Sequence, residues 1–396
     1  MTADKGSQFL KNYILNFVVN FLVYLTMYLL IVVIAQYSIK QYHVTAGMAG
    51  LVSGIFIVGA LIGRFVVGRY IHEIGPQKIL IVGLIFFILT QGLYFIEGSL
   101  TLLLITRFLN GLALAVATTA TGTIVPLISP PERRGVAISL FSLSLVIGAA
   151  VGPFLGLYLA HFYPTFVLFT FCLVIAIAAF VIALFLKVKV EIEPKHEEHH
   201  RIHISQFISL PALPIAFVIL ICGLGYASVL SFLQLYAEQI HLTEVASYYF
   251  ICYAITSILT RPIVGHILDE YHENWIAYPA LLLFGLGLLI LASAHAGWGL
   301  LVSGALVGIG YGSMTAVGNV VAVKMSDPDK VGLATSTFYI GLDIGIGFGP
   351  ALIGIIVPSI GYRTMYLGSG ILMLICILLY SILHGQRHRH RKIEEH

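Results

Sequence analysis

Twelve stretches of about 20 mostly apolar residues run through the chain, and a segment of that length and composition is stable as a helix across a lipid bilayer. They fall near 13–37, 47–67, 79–96, 100–127, 136–160, 165–186, 210–236, 246–267, 276–294, 298–323, 333–357 and 364–383. The chain is 59% hydrophobic and 10% charged, with a mean hydropathy of +0.98, a balance that water-soluble domains of this size do not carry. The fold class expected is an all-α membrane protein with 12 transmembrane helices. The first apolar run is too long for a cleavable signal peptide and no small-residue cleavage site follows it, so it is expected to remain as the first span.

Basic residues set the expected orientation, because cationic loops stay in the cytoplasm. Of the 21 Lys and Arg, Lys40 and Arg363 fall on one side, Arg107 lies within a span, and the other 18 are assigned to the opposite face. That basic face is expected to be cytoplasmic and to carry both termini. The net charge of +3 is then a topology signal, and no nucleic-acid partner is expected. Cys172, Cys222, Cys252 and Cys376 lie within spans at no metal-type spacing and read as small packing residues.

The two halves repeat each other at one offset. Gly135–Leu155 lies over Gly332–Leu352, a shift of 197 positions, with ten of the 21 positions identical. The same shift places Arg64, Gly68 and Glu73 over Arg261, Gly265 and Glu270, and Gly111 over Gly308. A constant offset across six spans means two six-helix parallel repeats in the same membrane orientation. The expected domains are a bundle at 1–186, a cytoplasmic linker at 187–208, a second bundle at 209–384 and a tail at 385–396.

With these residues in hand, the sequence resembles the major facilitator superfamily, and within it the twelve-span drug:proton antiporter branch. The loop GRYIHEIGPQK at 68–78 is similar to the family's G-x-x-x-D-R-x-G-R-K-K signature at Gly68, Gly75 and Lys78, with His72 in place of aspartate; the second-half loop retains Asp269. RFLNGLALA from Arg107 resembles the family's R-x-x-Q-G pattern, with Asn110 in place of glutamine. GAAVGPFLG from Gly148 resembles its antiporter glycine-proline motif. The resemblance implies proton-coupled export of small amphipathic organic compounds by alternating access, with a proton gradient and no cofactor.

Departures between the halves point to chemistry. Asp343 lies over Val146, and Arg107 over Gly304. An acidic group deep in a span costs at least about 2.5 kcal/mol unless it faces a cavity or a partner. Asp343 is thus read as a proton-coupling carboxylate, with a static inter-span hydrogen bond as the alternative. Arg107 is read, as the resemblance implies, as a coupling or substrate-orienting cation, or else as an anchor for the outer end of its span. Asn16, Asn20, Tyr24 and Tyr28 repeat every four residues and form one helical stripe, either lining a cavity or joining helices. Asn110, Tyr226, Gln234, Glu238, Tyr311 and Tyr339 are further candidates to touch substrate.

Gating is assigned to Gly68, Gly75, Arg133, Gly148, Gly152, Pro153, Asp269, Gly345, Gly349 and Pro350. The glycines near the Gly-Pro pairs are expected to pack closely across the two halves, and Pro153 and Pro350 to bend their helices. Arg133, Arg134, Asp269 and Lys78 are expected to make inter-domain charge contacts. His72 is expected to serve poorly there, since a neutral imidazole lacks the charge with which a carboxylate complements a helix N-terminus.

His196, His199, His200 and His203 share a helical spacing that suits a metal, though solvated linker histidines beside glutamates more often bind nothing, and no metal site is assigned. The absence of a G-x-x-x-x-G-K-[ST] loop argues against ATP drive. The alternatives are export of an endogenous metabolite such as a metallophore, or a lipid flippase. No span carries a nucleophile–base pair, so an enzyme is not expected. Small solute, protons and lipid are the expected partners, for a monomer in a bacterial cell membrane.

Overall fold

The computed structural model describes residues 3–44, 46–96, 98–188 and 206–385. The linker histidines and the tail lie outside the described residues, as does the side chain of Gln234. Twelve helices among the described residues are long and apolar enough to cross a membrane. Numbered as spans 1 to 12, they are Gln8–Ile34, Leu51–Ile74, Pro76–Leu93, Leu100–Ile128, Pro131–Ala160, Thr165–Leu184, Leu210–Leu233, Tyr248–Glu270, Asn274–Ala292, Gly297–Lys324, Pro328–Pro350 and Leu352–Gly385. No strand occurs among the described residues.

Local chemistry sets several boundaries. Ser99 caps span 4 by accepting from the Leu102 amide at 3.2 Å, supplying a partner for one orphan N–H of the first turn. Gly75 adopts φ 91°, a backbone state suited to glycine, and Pro76 then opens span 3 with its φ already helical. Span 5 is two helical pieces, Arg134–Phe141 and Leu143–Phe162, meeting at Ser142. Spans 11 and 12 lie in one helical run, Val331–Tyr380, which is broken within span 12 at Gly361 by φ 76°, ψ 164°.

The chain divides into two compact units. The first comprises Met1–Pro131, Ser144–Leu210 and Ser326–Thr337; the second comprises Glu132–Leu143, Pro211–Met325 and Phe338–His396. Each unit is therefore one sequence half that has exchanged the first turns of span 5 or span 11 with the other. Within the first unit, Phe56, Leu84, Phe87, Leu114 and Ile124 form a closed apolar core, and Tyr37, Tyr94 and Phe169 a second cluster. Large apolar side chains such as Ile355, Trp275 and Leu259 point outward, as a lipid-facing surface requires.

Glycine at two repeat-related positions lets helix backbones touch. A Cβ on Gly111 of span 4 would overlap the Phe56 carbonyl of span 2, and one on Gly308 of span 10 would overlap the Tyr253 carbonyl of span 8.

Candidate functional site

Both units contain the same polar construction at the end of span 2 or span 8. In the first unit, His72 Nε2 accepts from the Gly332 amide at 3.0 Å and the Leu333 amide at 3.3 Å. In the second, the Asp269 carboxylate accepts from the Gly135 amide at 2.5 Å and the Val136 amide at 3.0 Å. The offset of 197 maps each of these residues onto its counterpart. The first turn of span 11 is thus held to span 2, and that of span 5 to span 8, by acceptors placed on orphan helix amides.

One to two turns deeper, each construction has a second tier. Ser336 donates to the Arg64 carbonyl at 2.6 Å, and Ser139 donates to the Arg261 carbonyl at 3.0 Å. The arginine side chains are buried. Arg64 Nη1 donates to the Thr118 and Thr119 hydroxyls at 3.1 Å each, and Arg261 Nη2 donates to Thr315 at 3.2 Å. Gly68 and Gly265 leave room for the contact: an added Cβ would meet Ser336 Oγ at 2.8 Å in one case and Val136 Cα at 2.6 Å in the other.

Four expectations are corrected here. His72 does cap a helix N-terminus, because the lone pair of a neutral imidazole accepts N–H bonds without a formal charge. Asp269 spends its oxygens on backbone amides, with Arg133 and Lys78 exposed. Arg64 and Arg261, counted among the basic-face cations, are inside the protein. Gly148, Gly152, Gly345 and Gly349 pack within their own halves: Gly152 approaches Tyr28 of span 1, and Gly345 approaches Gly223 of span 7. The cross-half contacts lie lower on spans 5 and 11, where Gly68 and Gly265 supply the small surfaces. Pro153 and Pro350 sit inside continuous helix.

The Asn–Tyr stripe of span 1 is buried and forms a zipper. Asn16 Nδ2 donates to the Thr121 carbonyl at 2.9 Å, Asn20 Nδ2 donates to Ser144 at 2.7 Å, and Thr121 donates to Asn20 Oδ1 at 2.7 Å. Gly148 faces Tyr24 as Gly152 faces Tyr28. Asn110 donates to Thr90 at 3.0 Å. Helix joining, one of the two roles open for this stripe, is thus satisfied.

Arg107 is also buried. Its Nε donates to the Val52 carbonyl at 3.3 Å and Nη1 to the Tyr94 hydroxyl at 3.4 Å, with the guanidinium 4.5 Å from the Phe56 ring centroid. In the second unit, Tyr226 stacks on Tyr311 at 4.3 Å and on Tyr253 at 5.3 Å. Glu238 is exposed, and Tyr339 is buried against Phe338. Every residue from Val331 to Leu342 is buried, whereas Asp343 is half-buried. It shares a helical stripe with Gly332, Ser336 and Tyr339 by 3.6-residue periodicity.

Twelve spans in two repeated units, each latched at the same repeat positions, define a polytopic membrane scaffold. The chain belongs to the Major Facilitator Superfamily, whose model matches residues 17–294 and 244–395. It is 24% identical over 336 residues to an uncharacterized MFS-type transporter of Methanocaldococcus jannaschii, covering 82% of this chain and 86% of that one. It is 24% identical over 212 residues to multidrug resistance protein 1 of Bacillus subtilis, covering 53% and 54%. Among solved structures, the human organic anion transporter MFSD10 aligns over 94% of this chain and 99% of that one at TM-score 0.78 and 14% identity. The Escherichia coli fucose:proton symporter FucP aligns over 95% and 99% at TM-score 0.72 and 16% identity. At such identities these two structures speak for the fold.

Proposed function

We propose that this protein is a proton-coupled exporter of small amphipathic organic compounds, working by alternating access in a bacterial cell membrane with both termini cytoplasmic. The carrying observation is Asp343: among the described residues it is the acidic side chain placed deep within a span, and it stands half-buried directly after a fully buried run. Charge at such a depth costs about 2.5–3.5 kcal/mol unless it meets a partner or an aqueous path, and a carboxyl group exchanges its charge for a proton. That is the property a proton carrier needs. Arg107 enters as a fixed cation within the first unit, and the proton gradient takes the place of a cofactor.

The relatives named multidrug resistance proteins support export over uptake. The paired latches support alternating access, since each joins the first turns of one half to the body of the other through a few directional bonds. Substrate contact is assigned to the tyrosines of spans 7, 10 and 11, with Glu238 nearer the mouth. The test is reconstitution of purified protein in liposomes with an imposed pH gradient. Solute-dependent proton flux out of phase with solute movement supports antiport; flux of both in one direction makes it a symporter, and solute movement indifferent to the gradient removes the coupling.

A further inference from the structure

The two buried arginines differ in one respect that the repeat makes visible. Arg64 meets two hydroxyls, Thr118 and Thr119. Arg261 meets the counterpart of the first, Thr315, but Ala316 stands where the second would be. Its Nε and Nη1 are buried and have no hydrogen-bond partner among the described residues, although Arg261 is only 1% exposed. One helical turn earlier on span 8, the buried Ser257 hydroxyl is likewise unpartnered.

A guanidinium in a low-dielectric interior demands a counter-charge or a full set of acceptors. No described residue forms an ion pair with Arg261, and Asp269, two turns along the same helix, is committed to the Gly135 and Val136 amides. The neighbours of Arg261 in electrostatic reach are Tyr253 and Tyr311, and both rings stack on Tyr226. The Nε–H and Nη1–H donors leave the guanidinium from different edges, and each calls for an acceptor that an anionic oxygen supplies, while the stacked tyrosine rings give the surroundings an aromatic, apolar character.

We propose that Arg261 and Ser257 form a buried anion site in the second unit whose ligand is the carboxylate of an aromatic compound. This deepens the exporter reading by naming a substrate class, and it is tested by equilibrium binding, which requires no transport and stands or falls apart from proton coupling.

Purified full-length protein in detergent and chloride-free buffer is titrated with benzoate, with benzyl alcohol as the neutral analogue and chloride as the inorganic anion, and the melting temperature is followed. Benzoate raises it in a saturable way, as a ligand of the folded state must, while benzyl alcohol and chloride do not. Arg261→Gln weakens benzoate binding by at least about tenfold, the scale of a lost hydrogen bond to a charged group. Ala316→Thr, which supplies the absent hydroxyl and keeps the arginine, weakens it as well and keeps the proposal testable if Arg261→Gln does not fold. A benzoate shift unchanged in both variants, an equal shift with benzyl alcohol, an equal shift with chloride, or no shift at all overturns it.

Discussion

Replacing His72 by alanine removes the acceptor that holds the Gly332 and Leu333 amides. Losing an N-terminal capping side chain costs about 0.5–2 kcal/mol, and two amides leave the ring here, so the expected loss lies near the upper end, about 2 kcal/mol. The sign with pH follows from the chemistry of the contact: only the neutral ring accepts at Nε2, so the contribution is present at high pH and is lost as pH falls and the ring takes a proton. Lys330 and Asp329 flank the ring from the neighbouring turn with opposite charges. Thermal or denaturant unfolding of the purified protein at pH 7.5 and at acid pH reads this directly. Wild type loses stability on acidification, His72→Ala starts lower and loses less, and His72→Asp, which copies Asp269, keeps its stability through the window in which an imidazole takes a proton, since a carboxylate does so only at lower pH. If His72→Ala unfolds like wild type at both pH values, the imidazole cap contributes nothing and the latch reading is wrong.

Other substitutions separate tight packing from open space. Gly345→Val places side-chain atoms against the Leu220 carbonyl and Gly223 and is expected to cost about 1–3 kcal/mol; Gly368→Ala, at a helical position with nothing within 4 Å, does not lower the unfolding midpoint and raises it by up to the scale of about 0.4–1 kcal/mol. Asn20→Leu removes the bonds to Ser144 and Thr121 and lowers stability by about 0.6–1.7 kcal/mol, measured by the same unfolding assay. Glu273, at the start of span 9, accepts from His384 at 2.8 Å. Burial raises its pKa, but the His384 hydrogen bond, its own backbone amide and the His272 and His384 charges bring it down to about 2. A lowered folded pKa means stability that is complete above about 4.5 and is lost as pH falls toward 2, so Glu273→Gln destabilises at neutral pH and its difference from wild type shrinks in that acid window.

The twelve spans and the duplication were legible because both are written in composition and in a fixed offset, neither of which depends on what a helix touches. Arg64 and Arg261 escape such a reading for the same reason: a cation near the end of an apolar run looks like a topology signal until Thr118 and Thr315 are known to stand opposite. The signal that finds them is in the repeat, since Ser139 over Ser336, Thr118 over Thr315 and His72 over Asp269 all obey the shift of 197 positions. The partners of Gly148 and Gly345 were illegible, because a small residue declares that something comes close and not which helix it is. Charge alone undervalues His72, because its contact uses the lone pair of the ring.

The proposed transport cycle depends on Asp343 as the proton carrier. Asp343→Asn in proteoliposomes, assayed both for uphill solute movement under an imposed pH gradient and for solute counterflow without one, tests it most directly. Gradient-driven accumulation is expected to disappear while counterflow persists, because the asparagine keeps the shape of the site and cannot exchange a proton. Full gradient-driven accumulation in the variant would contradict it.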